Sequence, residues 1–165
     1  APYAVYGYGA QIVELKVDAD LGTVRLLKIT AAHDLGRAIN PMLAQGQIEG
    51  GIAQGIGMAL MEEYLPGRTE NLHDYLIPTF GDVPPIESLL IEVPDPEGPF
   101  GAKGLGEHTL IPTAPAILNA IRHATGADIS RVPALPHRLR QALQSLSSVP
   151  KDPGGPAPGP RQVIR

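Results

Sequence analysis

The sequence predicts an α+β domain in which antiparallel strands pack with a long glycine-rich helix and two further helices. Residues 11–17 and 23–30 alternate apolar and polar side chains, which is typical of half-buried strands. Residues 41–64 repeat apolar side chains at helical spacing, and two later stretches do the same over shorter lengths. A length of 165 residues favours a single domain.

The first two strands are expected to form an antiparallel hairpin. The segment between them, Asp18-Ala19-Asp20-Leu21-Gly22, has Asp and Gly in their usual turn roles. Tyrosines 3, 6 and 8 precede the first strand and alternate loosely with glycines. We expect these tyrosines to lie in the core rather than to form a face on which a ligand stacks.

A histidine and an aspartate stand side by side just after the second predicted strand. His33 and Asp34 are residue types that suit a catalytic pair, but neighbours in an extended chain point to opposite faces. We therefore interpret Asp34 and Gly36 as turn residues. Asn40 and Pro41 then begin the long helix as its N-cap and first helical residue.

The long helix carries an unusual number of glycines. Each helix-interior glycine costs roughly 1 kcal/mol relative to alanine, so the series requires a compensating contact. Close packing against another element accounts for most of them, and a large ligand or partner chain against the N-terminal half is the alternative. Gln45, Gln47 and Gln54 lie among them, and such amides either bind backbone or bind a polar ligand. The glycines are Gly46, Gly50, Gly51, Gly55 and Gly57.

The next two elements are predicted to be strands, and a helix follows them. Residues 71–80 are expected at an edge or end of the sheet, because Pro78 lacks a backbone donor. Residues 86–93 alternate as a second strand. Residues 109–125 predict a helix with Thr109 as its cap.

The C-terminal part of the sequence contains one more helix and then loses all periodicity. Residues 136–146 predict a short helix with a basic first turn. We assign residues 1–146 to one domain. Residues 147–165 are rich in proline and glycine and are expected to be a disordered tail or an arm that wraps a partner.

A glycine-rich loop is the strongest candidate for a functional site. Residues 101–106 read Gly-Ala-Lys-Gly-Leu-Gly and lead into Glu107. Exposed backbone amides in such a loop bind anions, and Glu107 would then act as a base beside the bound group. The alternative is a loop whose glutamate only faces water.

Two other classes of function are alternatives for this loop. A phosphate- or nucleotide-binding module is disfavoured, because the glycine spacing matches neither the Walker A motif nor the dinucleotide fingerprint. In addition, no Ser or Thr follows Lys103 to hold Mg²⁺. A non-catalytic assembly module, whose glycines serve packing alone, is the third interpretation.

Composition excludes several kinds of chemistry and partner. A net charge of −4 gives no reason to expect nucleic acid or an anionic membrane surface. The absence of cysteine excludes disulfides, a cysteine nucleophile and cysteine-ligated iron–sulfur or zinc sites within this chain. No apolar run is long enough to span a bilayer, and the expected location is the cytoplasm.

Four motifs occur in a fixed order along the chain. They are Asp-x-Gly-x₃-Asn-Pro from Asp34, Gly-Gln-x-Glu-Gly-Gly-x₂-Gln-Gly-x-Gly from Gly46, Asp-Tyr-x-Ile-Pro-Thr from Asp74 and Gly-Ala-Lys-Gly-x-Gly-Glu from Gly101. In this order they resemble the C-terminal part of the molybdenum-binding large subunit of the xanthine oxidase family, over residues 8–143. That family includes xanthine dehydrogenases, aldehyde oxidases, N-heterocycle hydroxylases and aerobic carbon monoxide dehydrogenases.

The resemblance implies a cofactor and a role for each motif. The cofactor is molybdopterin with molybdenum, expected as its cytosine dinucleotide, and the metal is held by the pterin dithiolene rather than by a side chain. Glu107 is implied to be the base when a water-derived oxygen is inserted at an electron-poor carbon of an N-heterocycle or aldehyde. The residues implied to bind the cofactor are Gln47, the less certain Gln54, and the backbone of Lys103, Gly104, Leu105 and Gly106.

The resemblance also implies partners, because the full molybdenum subunit is several times longer than this chain. We expect either a fragment or a split subunit, completed by the remaining molybdenum-subunit polypeptide. An iron–sulfur subunit with [2Fe-2S] clusters and an FAD subunit are expected to carry the electrons away. His108 departs from the family pattern, in which Ser or Pro usually follows the base, and it either faces substrate or caps the next helix.

Overall fold

The computed structural model describes residues 5–148 and confirms the α+β class. The regular elements, in chain order, are β1 (Gly9–Asp18), β2 (Thr23–Asp34), α1 (Pro41–Leu60), β3 (Ile86–Ile91), α2 (Thr113–Thr125) and α3 (Pro136–Ser148). The predicted tail lies outside the described residues from position 149 onward, and α3 continues through Ser148. Within residues 5–148, no helix combines the length and the apolar character that crossing a bilayer requires.

The sheet contains three strands in the order β1–β2–β3 and is mixed. The predicted hairpin is confirmed: β1 and β2 are antiparallel, and the carboxylate of Asp18 accepts the Leu21 amide at 2.9 Å in the turn. β3 pairs with β2 in parallel, with Ile29 opposite Ile86. The expectation of antiparallel strands did not include this pairing. It arises because the chain crosses over through α1 before β3.

Residues 71–80, predicted as a strand, form turns and irregular structure instead. The backbone amides of Asp74 and Tyr75 donate to the Asn71 carbonyl, and the Thr79 amide donates to the carboxylate of Asp82. These local bonds occupy donors that a strand would direct to a neighbour.

Two predicted helix boundaries, the end of α1 and the start of α2, shift in the structure. α1 ends at Leu60 rather than 64, because the Met61 and Glu62 amides converge on the Gly57 carbonyl and end the regular ladder. α2 begins at Thr113 rather than 109, so Thr109 is not its cap. Asn40 does cap α1, accepting the Leu43 amide at 3.1 Å.

The hydrophobic core lies where α1 and α2 meet the sheet, and α3 adds Leu139 to it. It is dominated by isoleucine, which packs well in both strands and helices. The largest buried apolar residues are Ile29, Ile48, Ile52, Ile56, Ile117, Ile121 and Leu139.

α1 lies unusually close to the segment that leads into α2. A Cβ on Gly51 would overlap the hydroxyl oxygen of Thr109, and a Cβ on Gly55 would overlap the side chain of Thr113. Both threonines are fully buried. Close packing therefore explains these two glycines, as the sequence interpretation proposed.

A buried ion pair fixes the glycine-rich loop to the end of β2. Lys103 Nζ donates to Asp34 Oδ2 at 2.6 Å, and the two side chains are only 7% and 8% exposed. Burial raises the pKa of Asp34, but hydrogen bonds from Lys103 and from the Gly36 amide outweigh it and hold the pKa below its ordinary value. The Lys103 amide donates to the Leu35 carbonyl at 2.8 Å, and the Arg37 amide donates to the Gly101 carbonyl at 2.9 Å.

We expect Gly51→Ala to lower the free energy of unfolding by about 1–3 kcal/mol, because the new methyl must displace Thr109 and its turn. Gly46→Ala is the matched control, since a Cβ there would meet nothing within 4 Å of the described residues. The control should match or exceed the parent in stability. Urea denaturation followed by circular dichroism measures both. Equal stabilities for the two variants would contradict the packing argument.

We expect Lys103→Met to cost about 3–5 kcal/mol of unfolding free energy, because the Asp34 carboxylate is left buried without its cation. The double variant Asp34→Asn/Lys103→Met should be less destabilised than Lys103→Met, since it removes the buried charge. Lys28→Met breaks an ion pair of the same 2.6 Å length that is largely exposed, and it should change stability little. Urea denaturation compares the three variants. An unchanged free energy of unfolding for Lys103→Met would contradict a stabilising role for the Asp34–Lys103 ion pair.

Candidate functional site

Between the Asp34–Lys103 ion pair and α2, the glycine-rich loop has polar groups that form no hydrogen bond or ion pair within residues 5–148. The side chain of Glu107 is exposed, and no cation or donor among residues 5–148 binds its carboxylate. The amides of Gly104, Leu105 and Gly106 donate to no acceptor in the described part of the chain. A free carboxylate therefore stands directly after three free backbone donors, which is an arrangement able to bind a polar group and accept a proton.

A single buried hydroxyl brings the loop next to α1. Thr109 Oγ1 lies 3.0 Å from the Gly106 carbonyl oxygen and 3.5 Å from the Gln47 carbonyl oxygen. Gln47 is exposed, as is Gln54. Seven residues separate the two glutamines, so they share a helix face but lie about 10 Å apart along the axis. The structure thus joins Gln47 to the loop and leaves Gln54 at a distance.

The helix face that carries Gln47 has two glycines that packing does not explain. A Cβ on Gly46 or Gly50 would meet nothing within 4 Å among the described residues. Gln45, beside them, bonds locally to Glu49 at 2.8 Å. These two glycines therefore favour the alternative for the N-terminal half of α1, a close approach by a group from outside the described chain.

Two histidines lie next to the turn that carries Glu107. His33 is fully buried, and the ring centroids of His33 and His108 are 5.3 Å apart. Burial, and then the nearby His108, lower the pKa of His33 to about 4, so that the imidazole is neutral at pH 7. His108 does not cap α2, which begins at Thr113. His33 and Asp34 do not form a catalytic pair, since Asp34 binds Lys103.

Gly7, just before β1, and Gly9, its first residue, lie close to these rings, and at Gly9 the contact leaves no room for a side chain. A Cβ on Gly9 would lie 2.7 Å from His33 Nδ1, and one on Gly7 would lie 3.4 Å from His108 Cε1. With the glycines against the rings, Tyr6 and Tyr8 are 69% and 71% exposed. The expectation of core tyrosines was therefore wrong for both. The Tyr-Gly-Tyr-Gly alternation was the signal that could have revealed a covered cluster here.

Two cavities were found, and one of them lies beside the glycine-rich loop. A cavity of about 410 Å³ is lined in part by Gly7, Lys103, Gly104 and His108. A larger one, about 520 Å³, opens between β2 and the C-terminal end of α1 and contains none of the predicted site residues. In residues 5–148 no three His, Asp or Glu side chains cluster as metal ligands would.

The electrostatics argue against a phosphate-binding loop. Lys103 is the cation of the loop sequence, and its ammonium group is held by the buried Asp34 carboxylate. It is therefore not available to neutralise a bound phosphate, which leaves neutral backbone donors as the loop's binding groups.

Sequence and structure comparisons agree on one family. Residues 1–84 match the family described as molybdopterin cofactor-binding domain. The chain is 43% identical over 138 residues to the xanthine dehydrogenase molybdenum-binding subunit of Escherichia coli O157:H7, which covers 80% of this chain and 18% of the relative.

Two solved structures share the fold at similar identity. Aldehyde oxidoreductase from Desulfovibrio gigas has a TM-score of 0.83 and 39% identity, with 87% of this chain and 16% of that chain covered. Quinoline 2-oxidoreductase from Pseudomonas putida 86 has a TM-score of 0.77 and 38% identity, with 82% and 18% covered. This chain spans less than a fifth of the length of each of these relatives. It belongs to the xanthine oxidase family of molybdenum enzymes and corresponds to part of the molybdopterin-binding subunit.

Proposed function

We propose that this chain forms one wall of the cofactor site of a molybdenum hydroxylase and supplies its catalytic base, Glu107. The observation that carries the proposal is the junction at Thr109, which places the loop ending in Glu107 against Gln47 of α1. The loop and this turn of α1, which are neighbours through Thr109, thus carry a carboxylate, three amides and an exposed carboxamide that have no partner among residues 5–148.

A molybdopterin cofactor, in the cytosine dinucleotide form, suits these groups. The Gln47 side chain and the amides of Gly104, Leu105 and Gly106 are donors for the oxygen atoms of the cofactor. Gln54 is a second, more distant donor. Lys103 contributes by anchoring the loop, since its amide already donates to the Leu35 carbonyl. When bound, the cofactor supplies a metal that accepts two electrons from the substrate.

Glu107 takes the proton from the water-derived oxygen that attacks the substrate carbon. The role needs a carboxylate without a counter-ion, and no cation in the described part of the chain pairs with Glu107. It also needs water to be excluded during the reaction, because a dry site strengthens the hold of a carboxylate on its proton. The remainder of the molybdenum subunit would provide that cover.

Exposed apolar side chains support assembly with further polypeptide. Several large apolar side chains point into solvent, among them Phe80 at 97% exposed and Phe100 at 84%. Large apolar side chains that are almost fully exposed are expected where further polypeptide covers them. The partners proposed are the remaining molybdenum-subunit polypeptide, a [2Fe-2S] subunit and an FAD subunit, working in the cytoplasm.

The proposed substrate is an N-heterocycle or an aldehyde. The named activities of the similar proteins include a xanthine dehydrogenase, an aldehyde oxidoreductase and a quinoline oxidoreductase. A panel of these compound classes, assayed with an artificial electron acceptor, identifies the best substrate for the experiments that follow.

We expect Glu107→Gln to lower turnover of the assembled enzyme by roughly 10²–10⁴, because the amide cannot accept the proton. Molybdenum content per copy should stay at the parent level, since the substitution preserves shape. Glu70→Gln, which changes an exposed glutamate outside the loop and outside the cavity beside it, is the control and should keep full turnover. Full turnover by Glu107→Gln would end the assignment of Glu107 as the base, and loss of molybdenum would indicate a binding role instead.

We expect Gln47→Ala to release the cofactor roughly tenfold faster than the parent, because one hydrogen bond to it is lost. Gln45→Ala is the control: it removes a neighbouring amide that bonds only to Glu49. Molybdenum and pterin retained after dialysis measure the difference. Equal retention in the two variants would mean that Gln47 does not bind the cofactor.

A further inference from the structure

One side chain of the sheet reaches the turn that carries Glu107. Gln11, on β1, donates from Nε2 to the Thr109 carbonyl oxygen at 2.9 Å. The two residues are 98 positions apart in sequence. The turn itself is closed by the Leu110 amide, which donates to the Glu107 carbonyl at 3.2 Å. Gln11 therefore connects the sheet to the turn whose first residue is Glu107.

The orientation of the Gln11 amide is set by the Thr109 carbonyl, and it determines which tautomer His33 adopts. Gln11 Nε2 lies 3.2 Å from His33 Nε2, so the ring nitrogen must accept and the imidazole must be neutral with its proton on Nδ1. The lowered pKa of His33 agrees with this state. Turning the amide over would place its oxygen against the Thr109 carbonyl oxygen, which repels it. One amide nitrogen thus serves both His33 and Thr109.

The surroundings leave His33 little freedom to move. Gly9 lies directly opposite His33 in the hairpin, and its backbone packs on the ring so closely that a Cβ would collide with it. His108 contacts the ring on another side at 5.3 Å between centroids. The side-chain oxygen Oε1 of Gln11, His33 Nδ1 and His108 Nε2 are all buried without a partner among the described residues. Buried polar atoms left unpaired are costly, so their retention calls for a role.

Thr109 is fastened on two sides by this arrangement. Its carbonyl accepts Gln11 from the sheet, and its hydroxyl lies against the Gly106 and Gln47 carbonyls from the loop and α1. The backbone two residues before it carries Glu107. A shift of the Thr109 carbonyl therefore moves the backbone of the base directly.

We propose that Gln11 is a positioning residue for Glu107: its amide also contacts His33, and its hydrogen bond to the Thr109 carbonyl fixes the turn at residues 107–110. The proposal rests on the proposed function of Glu107 as the base. Misplacement of a catalytic group by about 1 Å costs on the order of 10²-fold in rate, so a loosened turn has a measurable effect.

The test uses Gln11→Met in the assembled enzyme, since methionine keeps the length of the side chain and removes its donor. We expect kcat to fall roughly 10- to 100-fold with KM and molybdenum content unchanged. Hydrogen–deuterium exchange should rise in a peptide covering residues 105–112 and stay constant across 113–125. Gln11→Asn, too short to reach Thr109, should behave in the same way and serves if the methionine variant does not fold.

Gln141→Met, an exposed glutamine of α3, is the control and should leave both kcat and exchange at the parent values. The proposal is overturned if Gln11→Met keeps full kcat, if exchange at 105–112 is unchanged, or if kcat falls only in step with molybdenum content. Glu107→Gln separates this result from the proposed function. Full turnover in Glu107→Gln removes the base assignment, whereas an inactive Glu107→Gln beside a fully active Gln11→Met removes only the positioning role.

Discussion

The rest of the structure depends on the close approach between α1 and the segment from Thr109 to Thr113. Two glycines, Gly51 and Gly55, allow that approach, because a side chain at either position would occupy the space of a threonine. The contact decides where α2 begins to pack and therefore where the buried isoleucines of both helices meet. It also delivers the end of the glycine-rich loop to the face of α1. The absence of a Cβ at these two positions therefore affects both the packing of the core and the position of the loop.

The loop is held firmly at both ends and left free in the middle. At one end the Lys103 side chain and amide bind the end of β2. At the other, Thr109 is bound by the sheet and packed against α1. Between them, the amides of Gly104, Leu105 and Gly106 and the carboxylate of Glu107 have no partner among the described residues. Fixing the frame in advance lowers the cost of ordering the groups when a ligand binds, which is the general basis of preorganisation.

Local features were predictable from the sequence, and long-range partners were not. The hairpin from Asp18 to Gly22 and the Asn40 cap depend on neighbouring residues, and both were found. The order of four motifs was sufficient to identify the family. The parallel pairing of β3 and the Asp34–Lys103 pair depend on contacts between distant residues, for which periodicity carries no signal. The turns at 71–80 are local, but they depend on side-chain and backbone hydrogen bonds that the alternation of apolar residues does not indicate. Asp34 was interpreted as a turn residue, and its Oδ1 does accept the Gly36 amide. Its Oδ2 forms the buried ion pair with Lys103, which the sequence did not predict.

The Asp34–Lys103 pair also affects the surroundings of Glu107, which neither side chain contacts. Lys103 precedes Glu107 by four positions in a loop of small residues, where a free ammonium group would readily swing onto the glutamate. A carboxylate paired with a cation is a poor proton acceptor, since the opposite charge favours its ionised form. By binding the ammonium group below the surface, Asp34 keeps this cation away from Glu107. For the proposed role of Glu107 as a base, the buried acid thus leaves the exposed one without a counter-ion from its own loop.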